Sequence, residues 1–203
     1  MIADPRYIRK AEVGDSKSVA GLHKEAINKG FLSTLPLRFL QLLYRYLITN
    51  EIVFVYANKN EIYGYISCAL QPDGLLKRFV TTHFLSATLQ LFPVLFRLRT
   101  IKKILETGRA THNKSAMHVP EILSVAVSKE YRLLKIGQLL LIELENSLTH
   151  KQFTHVKVVA GKSLEAANRF YQNNGFIKVD EMIIHDDELS YVYLKKINGH
   201  AGI

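Results

Sequence analysis

Cysteine is nearly missing from this chain of 203 residues. Cys68 stands alone, so no intramolecular disulfide is available. It sits in the strand-like run Tyr63–Leu70, where a small buried residue is the ordinary role of a free thiol. A chain without disulfides suits a reducing compartment, so a cytoplasmic location is expected. The first residues, Met1–Tyr7, carry no apolar signal region. Repeats, low-complexity segments and long linkers are also missing, which favours one α/β domain over an array. The most apolar stretch, Phe79–Leu98, is interrupted by His83, Gln90, Pro93 and Arg97. A membrane-spanning helix needs a cleaner run. The eight histidines show no ligand spacing with Cys, Asp or Glu, so no metal is implied. Acid is missing from residues 75–105, which hold Lys77, Arg78, Arg97, Arg99, Lys102 and Lys103.

That segment supplies most of a net charge of +9. A basic field attracts anionic partners: a nucleotide-like cofactor, a phosphorylated substrate, nucleic acid or an anionic membrane. The basic residues lack interleaved stacking aromatics in a recognition motif, which argues against specific nucleic-acid binding. A peripheral membrane contact stays open. So does self-association. With 48% hydrophobic and 22% charged residues, the composition is that of a globular protein.

The pattern of apolar residues lays out the elements. Tyr7–Ala11 reads as a first strand. Asp15 caps a helix with Val19, Leu22, Ala26 and Ile27 on one face. Residues 29–35 form a loop, and Pro36 opens a helix at its first position. Ile52–Ala57 and Ile62–Leu70 make a hairpin around Asn58–Asn60. Residues 75–120 are an insertion, helical to about 106 and then a polar loop. Glu121–Val127 is a strand, Ile136–His150 a helix and His155–Ala160 a strand. Ser163–Asn174 is a helix stopped by Gly175. Phe176–His185 and Leu189–Lys196 close the chain as a hairpin, and 198–203 is a tail.

The most informative segment is Glu121–Leu141. A strand ends at Val127, a polar turn carries Arg132 and Gly137, and a helix follows directly. Unpaired amides at such a helix start, reinforced by the helix dipole, favour an anion. Pyrophosphate is the natural occupant.

This segment, with Ala166–Phe176, resembles the GCN5-related N-acetyltransferase (GNAT) superfamily over about residues 7–196. The family's acetyl-CoA motif, Gln/Arg-x-x-Gly-x-Gly/Ala, reads Arg132-Leu-Leu-Lys135-Ile-Gly137 here. Its later Tyr-x-x-x-Gly-Phe motif reads Tyr171-Gln-Asn-Asn-Gly175-Phe176. The resemblance implies a mixed sheet of six to seven strands, flanked by helices and splayed between the fourth and fifth strands. Acetyl-CoA would lie in that gap as co-substrate. Its pantetheine arm would pair with the backbone of Ser124, Val125, Ala126 and Val127. Its pyrophosphate would meet Arg132, Leu133, Leu134, Lys135, Ile136, Gly137 and Gln138. Lys135 replaces a motif glycine, and either tolerates the turn while adding an ammonium or weakens the site.

The same resemblance makes Tyr171 the general acid that protonates the departing thiolate. Its spacing from Leu164 and Ala167 equally suits a core position. Asn168 is a candidate CoA contact, since Leu164 occupies the family's usual Asn place. Glu121 aligns with the base that deprotonates the amine in one branch of the family, and by period two it shares a face with Leu123 and Val125. Its other reading is an exposed strand-end carboxylate, and His118 is a weaker candidate. Gly30–Leu40 is similar to a subgroup found among bacterial surface-glycan enzymes. The implied acceptor is a small-molecule primary amine, such as an amino sugar or its nucleotide-linked form, under the basic insertion. A protein or peptide amine acetyltransferase, and an inactive CoA-binding protein, remain alternatives.

Overall fold

A computed structural model of the chain describes residue 4 and residues 7–27, 31–58, 61–82, 119–185 and 188–197. Seven strands form one sheet: β1 (Ile8–Lys10), β2 (Ile52–Asn58), β3 (Glu61–Ala69), β4 (Glu121–Val127), β5 (His155–Gly161), β6 (Ile177–His185) and β7 (Glu188–Lys196). Their order is β1-β2-β3-β4-β5-β7-β6. Only β4 and β5 run parallel; every other pair is antiparallel. The described helices are α1 (Ser16–Ala26), α2 (Phe31–Thr34), α3 (Leu37–Asn50), α4 (Leu75–Thr82), α5 (Ile136–His150) and α6 (Glu165–Asn173). This is the mixed α/β architecture expected from the sequence.

Each face of the sheet has its own core. Val19, Ala20 and Leu22 of α1 meet Phe39, Leu40, Leu43 and Tyr44 of α3 against Val53, Val55 and Tyr65. On the opposite face Ile136, Leu140, Leu141, Leu144 and Leu148 of α5 cover Ile66, Cys68 and Ile122. These α5 positions fall at i, i+4, i+5, i+8 and i+12, the stripe of a helix lying on a sheet. The start of α5 lies hard against β3. A Cβ on Gly64 would come within 2.9 Å of Ile136 Cγ2 and 3.3 Å of the Ala126 carbonyl oxygen. Only glycine leaves room for that approach.

Several local expectations change. Asp15 sits at the N-cap of α1 but makes no side-chain cap bond there. Its carboxylate accepts from Arg9 Nη1 at 2.6 Å and from the Glu12 amide at 2.8 Å. An ion pair plus a 3-10 turn outcompetes capping of α1. Pro36 is the N-cap of α3 rather than its first helical residue, with an extended ψ of 145°. Residues 31–34, read as loop, form α2. The C-terminal helix begins at Glu165, not Ser163.

Of the insertion, α4 is described. Its Phe79 makes edge contacts with Phe39 and Tyr46, at 5.6 and 5.5 Å between ring centroids. Arg97, Arg99, Lys102, Lys103 and His118, and the tail 198–203, lie outside the described residues. No helix among the described residues is long and apolar enough to cross a membrane.

Candidate active site

The sheet comes apart where the sequence placed its anion site. β4 and β5 pair only at Glu121–Lys157 and Ile122–Val158. Beyond Ile122 the strands diverge around a cleft of about 1230 Å³. A bulge accompanies the split. Ser124 opposes Ser67 and Ile122 opposes Cys68, so Leu123 is an extra residue on β4. Bulges bend a strand and increase its twist, which is what ending the β4–β5 ladder requires.

Past the bulge, β4 turns alternate peptide groups to alternate sides. The Ser128 amide donates to the Tyr63 carbonyl at 2.8 Å. Ser128, Ala126 and Ser124 therefore address β3, while Val125 and Val127 present their backbone groups to the cleft. This is an open sheet edge that an amide-bearing chain can extend. Arg132 Nε reaches the Val127 carbonyl at 3.4 Å.

A 3-10 turn, Lys129–Leu134, leads to Lys135, whose φ of 60° and ψ of 16° are left-handed. The glycine in the family motif has its physical reason here: without a Cβ this conformation is free, and for lysine it is strained. The Gln138 and Leu139 amides bond the Lys135 carbonyl at 3.0 and 3.1 Å, so the helix starts at this turn. Amides of its first turn have no intrahelical acceptor. Arg132, Lys135, Gly137 and Gln138 line the cleft beside them. Gly137 lets α6 approach: an added Cβ would lie 3.3 Å from Phe170 Cε2. Leu133 is 97% exposed and Ile136 fully buried, so neither side chain addresses the cleft. Leu134 packs against the α5 core.

Replacing Lys135 with glycine relieves the strain and should stabilise the fold by about 1 kcal/mol, less the entropy that glycine adds to the unfolded chain. Urea melts measure this. If acetyl-CoA binds here and does so through backbone amides, its affinity stays within about threefold. A larger loss would put the ammonium itself on the phosphates.

Tyr171 is held by a local motif. The Phe176 amide bonds the Tyr171 carbonyl at 3.0 Å, and the Gly175 amide bonds Gln172 at 3.1 Å. Gly175 has φ of 82°. This is a Schellman cap, and it explains the Tyr-x-x-x-Gly-Phe spacing: the tyrosine is C3 and the phenylalanine C″. Their rings pack at 5.4 Å. Tyr171 is 4% exposed and lines the cleft. Its hydroxyl makes no hydrogen bond among the described residues. Burial pushes its pKa up, which keeps the proton on the oxygen.

Asn168 faces the other way. Its amide donates to the Gly161 and Lys162 carbonyls at 3.0 and 3.3 Å, and its oxygen accepts from Tyr193 at 3.0 Å. These bonds tie α6 to the end of β5. The side chain that sequence offered as a CoA contact is used in the fold and does not line the cleft.

Glu121 lines the cleft, with Oε2 3.1 Å from Lys157 Nζ. Its face differs from the period-two expectation. The extra residue at Leu123 shifts the phase: Glu121 falls with Leu123 and Ser124 on the α1/α3 side, whereas Val125 joins the α5 core. Ser124 also differs from a pure backbone role. Its Oγ lies 3.1 Å from Tyr44 Oη and 2.7 Å from Ser67 Oγ.

Those contacts belong to a buried polar array that the sequence reading missed. His23 Nδ1 lies 2.6 Å from Tyr44 Oη and 2.9 Å from Tyr65 Oη, and the two tyrosine oxygens are 2.8 Å apart. One signal was available: His23 follows Val19 by four residues and precedes Ala26 by three, on the apolar stripe of α1. Burial, then the nearby Lys24 charge, push the His23 pKa down to about 4. His23, Ala26, Ile27 and Leu32 form the cleft wall opposite the helix-start end. Among the described residues no cluster of three His, Cys, Asp or Glu side chains could hold a metal.

With this geometry in place, comparisons with known proteins are informative. Residues 24–176 match the sequence model of the Acetyltransferase (GNAT) family. No curated protein matches the chain. Among solved structures, a GNAT-family acetyltransferase from Streptococcus pneumoniae is similar, at TM-score 0.58 and 16% identity, covering 94% of this chain and 98% of that one. The ribosomal-protein-S18-alanine N-acetyltransferase from Escherichia coli aligns with TM-score 0.59 at 11% identity, covering 97% of each chain. The PaiA N-acetyltransferase from Thermoplasma acidophilum, in complex with coenzyme A, aligns with TM-score 0.54 at 13% identity, covering 93% and 97%. At these identities the structural matches speak for the fold.

Proposed function

This chain belongs to the GNAT family of N-acetyltransferases, and from that premise we propose that it moves an acetyl group from acetyl-CoA to the primary amine of a small molecule by direct attack of the amine. The observation that carries this reading is the split between β4 and β5. It opens a cleft with an unpaired strand edge, a helix N-terminus and a buried tyrosine on its walls. The donor set suits acetyl-CoA: Val125 and Val127 offer ladder positions to the amides of its arm, and the α5 start with Arg132, Lys135 and Gln138 suits its anionic part. Bound acetyl-CoA supplies an acyl group activated as a thioester.

The chain's own residues do the rest. Tyr171 gives its hydroxyl proton to the departing sulfur. Glu121 takes the proton from the incoming amine, because an ammonium has no lone pair to attack with. Its Oε1 makes no hydrogen bond among the described residues, while Oε2 stays with Lys157. Positioning the amine against the acyl carbon supplies much of the acceleration. Amino sugars, free or nucleotide-linked, are the acceptor class to try first.

Two measurements test the reading together. Acetyl-CoA at a hundred times its Kd should stabilise the protein by about 2.7 kcal/mol, read as a thermal shift. Thiol release should then be detected with at least one member of a panel of primary amines. A folded protein that shows no shift with acetyl-CoA refutes the cofactor, and a shift without thiol release for any amine leaves only a binding protein.

A further inference from the structure

A residue of the cleft wall carries an unmet hydrogen bond. His23 is 2% exposed, yet its Nε2 is buried with no hydrogen-bond partner, the only such side-chain atom among the described residues. The opposite nitrogen is fully engaged. Nδ1 faces Tyr44 and Tyr65, and Tyr44 continues through Ser124 to Ser67. Four hydroxyls and one ring nitrogen thus saturate one another and fix the imidazole plane. Nε2 lies on the far edge of that ring, and the residue forms part of the cleft wall. A buried polar atom left unsatisfied carries an uncompensated desolvation cost, so a ligand group that meets it is favoured selectively. The same logic underlies strong discrimination by sites built to bond a substrate hydroxyl.

We propose that His23 Nε2 is the specificity contact of the acceptor subsite, bonding a hydroxyl of an amino alcohol, the class that includes amino sugars. This rests on the reading that the cleft takes an amine acceptor. The surroundings favour an uncharged group. Ala26, Ile27, Leu32 and Leu123 bring carbon surface to the same cleft. The ring itself is neutral near pH 7 and does not repel an amine. Glu121 lines the same cleft and receives the amine end. An amine with a carbon body and a hydroxyl satisfies all three features. The hydroxyl bonds Nε2 in either tautomer, because it donates and accepts.

The test uses the full chain, labelled with ¹⁵N-histidine and saturated with CoA. The probes are ω-amino alcohols from 3-amino-1-propanol to 6-amino-1-hexanol, each set against the alkylamine of equal carbon count. At least one amino alcohol should shift the His23 Nε2 resonance saturably, and its alkylamine should not. In acetyl transfer the wild type should prefer that amino alcohol by about tenfold in kcat/KM, the worth of one net hydrogen bond. In His23→Phe the ratio should fall to near one, mainly through KM, and His23→Gln should recover part of it. If no amino alcohol moves Nε2, a buried water is its partner and the proposal is overturned. It is equally overturned if the preference survives in His23→Phe. The resonance reads binding without turnover, so a shift with no acetyl transfer to any amine rejects the transferase reading alone.

Discussion

Tyr171→Phe should lower turnover and leave stability in place. Turnover should fall roughly 10²–10⁴-fold, the usual loss on removing a positioned acid or base. Acetyl-CoA affinity should change little. Stability should hold, because the ring stays buried and the hydroxyl, on the cleft wall, makes no hydrogen bond among the described residues. The ring contacts with Phe170, Phe176 and Tyr193 survive in the phenylalanine. Steady-state kinetics and a denaturant melt on the same sample give both numbers. Unchanged turnover would return Tyr171 to a packing role.

Acid should weaken this fold through one buried imidazole. His23 has its pKa pushed down to about 4, from an ordinary value of 6.5. Between those values the unfolded chain binds a proton that the native protein excludes. Stability therefore falls as pH drops from 6.5 towards 4, and is fully present above about 6.5. The difference of about 2.5 pH units amounts to roughly 3 kcal/mol, a large share of an ordinary folding free energy. Urea melts across this range should show a slope approaching about 1.4 kcal/mol per pH unit, and His23→Leu should flatten it. The Asp15 carboxyl, held below its ordinary value first by its hydrogen bond from Arg9, acts in a lower window. Its contribution is lost only as pH falls through its depressed pKa. A wild-type profile that is flat between pH 4 and 6.5 would show that the imidazole charges freely inside the fold.

The local parts of this protein are legible in its residues, and what they assemble is not. Tyr171, Gly175 and Phe176 form a cap whose bonds span three to five residues, so chirality and glycine's freedom at φ 82° decide it within one turn. The strand Glu121–Val127, the turn at Arg132 and the helix from Ile136 are likewise set by short-range pattern. Lys135 shows the limit from the other side: its left-handed backbone is imposed by the turn and the helix packed on Gly64, against its own preference. The bulge at Leu123 carries no composition signal, and it moves Glu121 to the opposite face from Val125. Asn168 looks like a cofactor contact until the end of β5 and Tyr193 of β7 claim its amide. His23 reads as one residue on an apolar stripe, yet it gains its role from Tyr44 and Tyr65, 21 and 42 residues away, and through Tyr44 from Ser124, 80 residues beyond that tyrosine. Sequence alone determined the family, the strand–turn–helix around Arg132 and the capped tyrosine, because those depend on neighbours along the chain. Only the tertiary structure decided where the strands part, which face Glu121 takes and which polar atom is left unmet, because register and packing between distant segments choose the partners.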